Sequence, residues 1–374
     1  MVQITRDIAA AITVAALFTG AQGCRRDIKA VSEIEVESPT LRKADSLCPE
    51  IHGGYGSDMA YDSLTQRFYL LTDRGPNLDG STEGTKIFPL PGFNPGIGVF
   101  VFNDGKFTLD RKIGFRDSDG TPFCGLAPAL NSTHINGETA LDLEGNDISA
   151  SEGTPCIDPE GLALSDDGTF WVSDEYGPDI YHFDSTGILI SRLSPGHGLP
   201  ASYAHRRANR GMEGLCISRD NRFLYGIMQS PLQDSTYIPL FRYAIADSTV
   251  TEFRYMPDSP ENGVSAITYV NDSTILVLER DCRFPGNGKG FKKIFRVTLS
   301  GDPGQAVPKD LYLDILDCVP GYCHDKTEGM ALSGDRLYIV NDDDFGLSSE
   351  NGRPVPKKLP DGTVDRNIMI SILL

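Results

Sequence analysis

The sequence predicts an all-β fold, a β-propeller of about five to seven four-stranded blades. Three observations predict it. A strand–turn–strand pattern recurs along the chain. A second hairpin follows most copies of it. Gly and Pro together make up about one in six of the 374 residues, and frequent turn formers favour many short strands over long helices.

The recurring unit reads EGLALSDDGTFWVSDE at 160–175, EGLCISRDNRFLYGIMQ at 213–229 and EGMALSGDRLYIVND at 328–342. Weaker copies read SDMAYDSLTQRFYLLTDR at 57–74 and SAITYVNDSTILVLER at 265–280. Each is an apolar strand, a polar turn and a second strand rich in β-branched and aromatic residues, the pattern of a hairpin with alternating faces. Second hairpins read out at 97–115, 179–193 and 239–256, and a further one starts at 292. Four strands per unit, repeated along a chain of this length, are the mark of a propeller. Five units are clear. A sixth is sought among residues 116–155, and residues 116–157 also read as a long polar insertion between blades. The last strand, IMISIL at 368–373, is expected to pair with an N-terminal strand near IEVES at 34–38, closing the ring and hiding its edges. An open β-sandwich is the structural alternative, and it leaves the period unexplained.

The organisation expected is a signal peptide at 1–23, an N-terminal tether with a closing strand at 24–49, and the propeller at 50–374. Arg6 precedes an apolar run from Ile8 to Phe18, which is too short for a membrane span. The ending Ala21-Gln22-Gly23-Cys24 resembles a loose bacterial lipobox, which would make Cys24 the lipidated first residue of the mature chain. An ordinary signal peptide cut nearby is the other reading. The protein is therefore expected to be an exported monomer, in the periplasm or at the outer membrane or cell surface, touching the membrane only through that anchor. A net charge of −18 argues against nucleic acid as a partner.

Seven cysteines follow Cys24, and export permits disulfides. Cys318 and Cys323 flank a Pro-Gly turn and are the expected pair. No Cys-x-x-Cys occurs, so a zinc motif is not supported.

Within each unit the strands are antiparallel, so the first residue of strand one and the last of strand two share a rim. Glu160, Glu213 and Glu328 then lie beside Asp174, Glu175, Asp342 and Asp343. If strand one is innermost, these acids converge at one mouth. Like charges that close raise each other's pKa, and a hard divalent cation, Ca²⁺ in particular, removes the penalty. All seven are the candidate metal ligands. A single Glu could instead cap its own blade, but three in register point to a shared centre.

Arg74 and Arg280 end the second strands of the weaker copies, and His205, Arg207 and Arg210 precede Met212-Glu213. Arginine forks fit phosphate oxygens. Arg74, Arg207, Arg210 and His205 are the candidate substrate-binding residues, and Glu160, Glu213, Glu328 and Arg280 the candidate catalytic ones. There is no Gly-x-Ser-x-Gly elbow, P-loop or dinucleotide fingerprint. Metal-activated water is then the simplest hydrolytic mechanism.

Five stretches give the chain a family likeness: GGYGSDMAYDSLTQRFYLLTDRG (53–75), DPEGLALSDDGTFWVSDEYGP (158–178), RRANRGMEGLCISRDNRFLYGIMQSPL (206–232), ILVLERDCRF (275–284) and KTEGMALSGDRLYIVNDDDFG (326–346). Together they resemble the bacterial family called esterase-like activity of phytase. The resemblance spans 50–374 and implies an exported propeller with esterase or phytase-related activity. Its motifs fall on Asp158 to Gly161, Asn209 to Gly214, Glu279 to Asp281 and Asn341 to Gly346. The function expected is a metal-dependent hydrolase of small anionic esters, phosphate esters in particular. A Ca²⁺-dependent lactonase or carboxylic esterase is the alternative, and a non-enzymatic surface-binding propeller is another.

Overall fold

The computed structural model describes residues 28–128, 137–286, 290–300 and 304–374. The expected signal peptide and Cys24 lie outside the described residues.

The chain is built from four-stranded antiparallel meanders, as the repeat predicts. The first blade holds Met59–Asp62, Arg67–Leu71, Gly96–Asn103 and Lys106–Gly114. The second holds Pro159–Leu164, Phe170–Asp174, Asp179–Phe183 and Leu189–Pro195, with a short fifth strand, Gly198–Leu199, at its edge. The third runs through Met212–Ile217, Phe223–Met228, Ile238–Ala244 and Thr249–Tyr255, and the fourth through Gly263–Asn271, Thr274–Arg280, Lys292–Thr298 and Lys309–Asp314. The last combines Thr327–Ser333, Arg336–Asn341 and Ile368–Leu373 with the N-terminal strand Ala30–Glu37. Register runs from Ala30 opposite Leu373 to Glu35 opposite Ile368, the closure expected from the sequence. Ala30–Glu37 also touches the first blade through Val36 and Phe107. The N- and C-terminal strands thus share one sheet, and the N-terminal strand covers the edge of Ile368–Leu373 that Arg336–Asn341 leaves open.

Apolar side chains pack between neighbouring sheets. Tyr69 and Val99 of the first blade meet Phe170 and Val172 of the second. Phe68 and Phe100 meet Tyr338, Val340 and Met369 of the last. Leu276 and Ile294 meet Leu337 and Ile370, and a further cluster joins the second, third and fourth blades. In the third blade the inner and second strands are buried almost throughout, whereas the outer strand Thr249–Tyr255 is exposed or half-buried up to Tyr255.

The first strand of every unit is innermost, and close contacts between these strands form a cycle. A Cβ on Gly161 would lie 2.1 Å from the Glu213 carbonyl oxygen, and one on Gly214 would lie 2.8 Å from the Ile267 nitrogen. The Ser265 hydroxyl donates to the Thr327 carbonyl at 2.8 Å. A Cβ on Gly329 would lie 2.9 Å from the Asp58 Cα, and the Leu162 N–H donates to the Asp58 carboxylate at 2.8 Å. The repeated Glu-Gly pair therefore has a mechanical reason: only glycine lets adjacent inner strands approach this closely. A closed cycle is what a propeller requires and an open sandwich lacks.

No sixth blade appears among the described residues of 116–155. That stretch contributes one short strand, Thr139–Leu141, which pairs in parallel with Thr85–Ile87 outside the ring. Its polar, turn-rich sequence offers no alternating faces to bury. Cys318 and Cys323 are not joined by a disulfide.

The Gly161 contact is testable. Gly161→Ala places its Cβ against backbone that cannot yield, and should cost about 2 kcal/mol or more. Gly92→Ala, where nothing lies within 4 Å, should be near neutral. Urea denaturation checks both, and equal midpoints would contradict the close-approach argument.

Candidate acidic centre at the channel mouth

A β-bulge sits at the mouth end of four inner strands. In the second blade Val172 pairs with Leu162 and Asp174 with Pro159, so Glu160 and Gly161 together oppose one residue. Glu213 and Gly214 do the same between Met212 and Leu215. Glu328 is the extra residue between Thr327 and Gly329, and Ser265 occupies that place in the fourth blade. Bulges re-aim side chains, and here they mark the same position of each repeat.

The carboxylates so marked meet. The Gln229 side-chain amide donates to both oxygens of Glu213 at 3.0 Å and to Glu175 Oε1 at 3.1 Å, so acids of the second and third blades share one donor. One oxygen each from Asp158, Glu160 and Glu175 lies within 4.8 Å of the others. Burial pushes the Glu160 carboxyl well up, and the charges of Asp158, Glu213, Glu175 and Glu328 add to the effect. Burial also raises Glu213, helped by Glu175 and Glu328 and opposed by the Gln229 hydrogen bond and by Arg280. Asp73 of the first blade is raised by burial and by Asp342 and Asp158. Blades separated in sequence thus contribute charge to one buried region.

Cations answer part of it. Arg280 is ion-paired with Glu328. Arg74 donates to Glu138 at 2.8 Å, approaches Asp158 at 3.5 Å and lies beside the Tyr176 ring. Lys326 is hydrogen-bonded to Asp342 at 3.1 Å and also to Asp344. The acids Asp73, Asp158, Glu160, Glu175, Glu213, Glu328 and Asp342 outnumber these cations.

Several expected site residues do other work. Asp174 Oδ1 accepts from the Asp158 and Tyr176 N–H groups and its Oδ2 from that of Gly177, so its lone pairs are spent on a turn. Asp343 accepts from the Phe345 N–H in the turn that follows Arg336–Asn341. Asp174 is the last residue of its strand and Asp343 caps the turn beyond its strand, so both are claimed by local backbone N–H groups. Arg74 is buried with its donors already committed to Glu138, Asp158, Tyr176 and Asn77, which makes it a counter-charge. His205 and Arg207 are exposed and make no hydrogen bond or ion pair with these carboxylates among the described residues. Arg210 is half-buried, and its charge acts on Glu175. Glu160, Glu175, Glu213, Glu328, Asp342 and Arg280 are brought together.

Sequence reasoning left Asp73, Asp158, Glu138, Gln229 and Lys326 out of the candidate set. A signal existed for Gln229: it is the last residue of its repeat, in register with Arg74, Glu175, Arg280 and Asp342. As a neutral amide it escapes a search for carboxylates.

The donor set is all oxygen, with no His or Cys in the closest group, which suits a hard divalent cation better than zinc. Oxygens no more than 4.8 Å apart are close enough to share one Ca²⁺ at about 2.4 Å from each.

Fold and site together define an all-β propeller with an acidic mouth. The chain belongs to the phytase-like family described as esterase-like activity of phytase, whose model matches residues 51–345. It is 27% identical over 241 residues to an Arthroderma benhamiae protein called an uncharacterized secreted protein. That alignment covers 49% of this chain and 45% of the relative, so the chain spans less than half of that relative's length. Among solved structures, a Lactobacillus plantarum protein aligns at 14% identity and a TM-score of 0.41, covering 92% of this chain and all of its own. Virginiamycin B lyase from Staphylococcus aureus aligns at 11% and 0.37, covering 92% of this chain and 99% of its own. Likeness that distant carries no argument about activity.

The raised carboxyls predict a pH dependence. Burial, with the Asp158 charge adding to it, pushes Glu175 up to about 8, and burial pushes Asp342 up to about 6. A folded state that holds protons more tightly than the unfolded chain loses that advantage as pH rises through the folded values. The Tm of the cation-free chain should therefore fall between about pH 5 and pH 8, and added Ca²⁺ should restore most at the upper end. A flat profile with no Ca²⁺ effect would contradict the buried acidic cluster.

Proposed function

We propose that the protein is an exported, metal-dependent ester hydrolase acting on phosphate esters. Membership of the esterase-like family supports ester hydrolysis, and the secreted relative supports export. The observation that carries the metal is the meeting of Glu175 and Glu213 from different blades on one amide, beside Asp158 and Glu160.

Asp158, Glu160 and Glu175 would hold the cation, with Glu213 and Glu328 completing the acidic wall. Bound there, a divalent cation supplies charge neutralisation for the ester oxygens and Lewis-acid activation of water. Gln229 keeps Glu175 and Glu213 oriented. Glu213, whose carboxyl is pushed well above its ordinary range by burial and by the charges of Glu175 and Glu328, would be placed to take a proton from water or return one to the leaving oxygen. Arg280, at the end of its strand beside Glu328, contributes positive charge toward an anionic ester. The lipid anchor on Cys24 and a monomeric state complete the proposal for the whole protein.

A carboxylic esterase or lactonase is the second reading. The observation favouring it is that Arg74 and Arg280 already pair with carboxylates, leaving less positive charge for a polyanion.

Purified protein should hydrolyse a generic phosphomonoester with Ca²⁺ and lose the activity to a chelator. Glu213→Gln should lower kcat/KM by about 100-fold with the Tm retained. Undiminished turnover after exhaustive chelation would refute the metal mechanism. Turnover of lactones alone would move the assignment to the second reading.

A further inference from the structure

Two cysteines face each other beside the acidic centre. Cys124 Sγ and Cys156 Sγ lie 3.5 Å apart although their positions are 32 apart in the chain. Their backbones form a bridge: the Cys124 N–H donates to the Pro155 carbonyl at 2.9 Å, and the Ile157 N–H to the Cys124 carbonyl at 3.0 Å. Paired backbones of this kind run about 4.8 Å apart, inside the range of Cα separations that a disulfide spans. Both thiols are half-buried, close enough to the surface for a redox partner to reach them.

We propose that Cys124 and Cys156 form a disulfide in the exported protein. The placement of the protein in an oxidising compartment rests on the reading above; the pairing rests on geometry alone. The two thiols lose two protons and two electrons as their S–S bond forms. A dithiol–disulfide oxidant accepts them, its own S–S bond breaks, and it leaves as two thiols.

The bridge closes the loop that carries Glu138 to Arg74, and it ends two residues before Asp158. Gly125, next to Cys124, packs directly on the Arg74 backbone, where a Cβ would meet the carbonyl oxygen, and its own carbonyl accepts from the Tyr176 hydroxyl at 2.7 Å. A covalent link there fastens the insertion to the second blade at the point where the chain enters the acidic mouth.

The test uses the full chain, purified and equilibrated with oxidised glutathione, then alkylated and digested without reductant. Mass spectrometry should find a peptide joining Cys124 to Cys156, two hydrogens lighter than the separate thiol peptides. Reduction should lower the Tm by on the order of 5 °C, and the double variant Cys124→Ser/Cys156→Ser should show no such redox-dependent shift. Recovery of both cysteines alkylated on separate peptides after oxidation would overturn the proposal. So would an equal reductant effect in the double variant. Neither readout depends on hydrolysis, so failure of the proposed activity leaves this test intact.

Discussion

Repulsion among buried carboxylates is the constraint around which this molecule is organised. Acids of several blades are drawn into one mouth, where burial and mutual charge both oppose ionisation. Arg74, Arg280 and Lys326 offset part of that charge, each paired to a named acid. The remainder must be met by protons or by a bound cation. Such an arrangement disfavours the fully ionised, cation-free state of the cluster.

The ring makes the convergence possible. Inner strands approach closely because glycine follows the mouth-facing position at 161, 214 and 329, and because Asp58 accepts backbone hydrogen bonds from neighbouring strands. The bulges at those positions turn the preceding residue toward the mouth. One short motif therefore does two jobs: its glycine closes the ring and its glutamate furnishes the site. Pairing of Ala30–Glu37 with Ile368–Leu373 holds the ring shut from the outside.

The fold was largely legible in the sequence because hairpin periodicity, turn residues and the Glu-Gly repeat all report local geometry. The closing strand pair was legible for the same reason. The site was legible by position more than by residue. The repeat ends point to Glu160, Glu175, Glu213, Glu328 and Asp342, which the structure brings near one another, and equally to Asp174 and Asp343, which it holds in turns. These pairs sit where strands give way to turns, and a sequence of two acids does not say which one the turn's N–H groups will claim. Asp158 and Asp73 arrive from flanking turns, whose direction no alternation predicts. Lys326 and Gln229 escaped because a search for ligands looks for acids, whereas a stable acidic cluster also needs donors. The polar stretch at 116–155 offered too little pattern to tell a blade from an insertion.

Calorimetric titration of the cation-free protein with Ca²⁺ tests the central claim most directly. The account predicts one site per chain, with affinity reduced at least about tenfold by Glu160→Gln and likewise by Glu328→Gln, residues of different blades. Undiminished affinity in both variants, or no binding by the unaltered chain, would mean that these carboxylates do not share an ion.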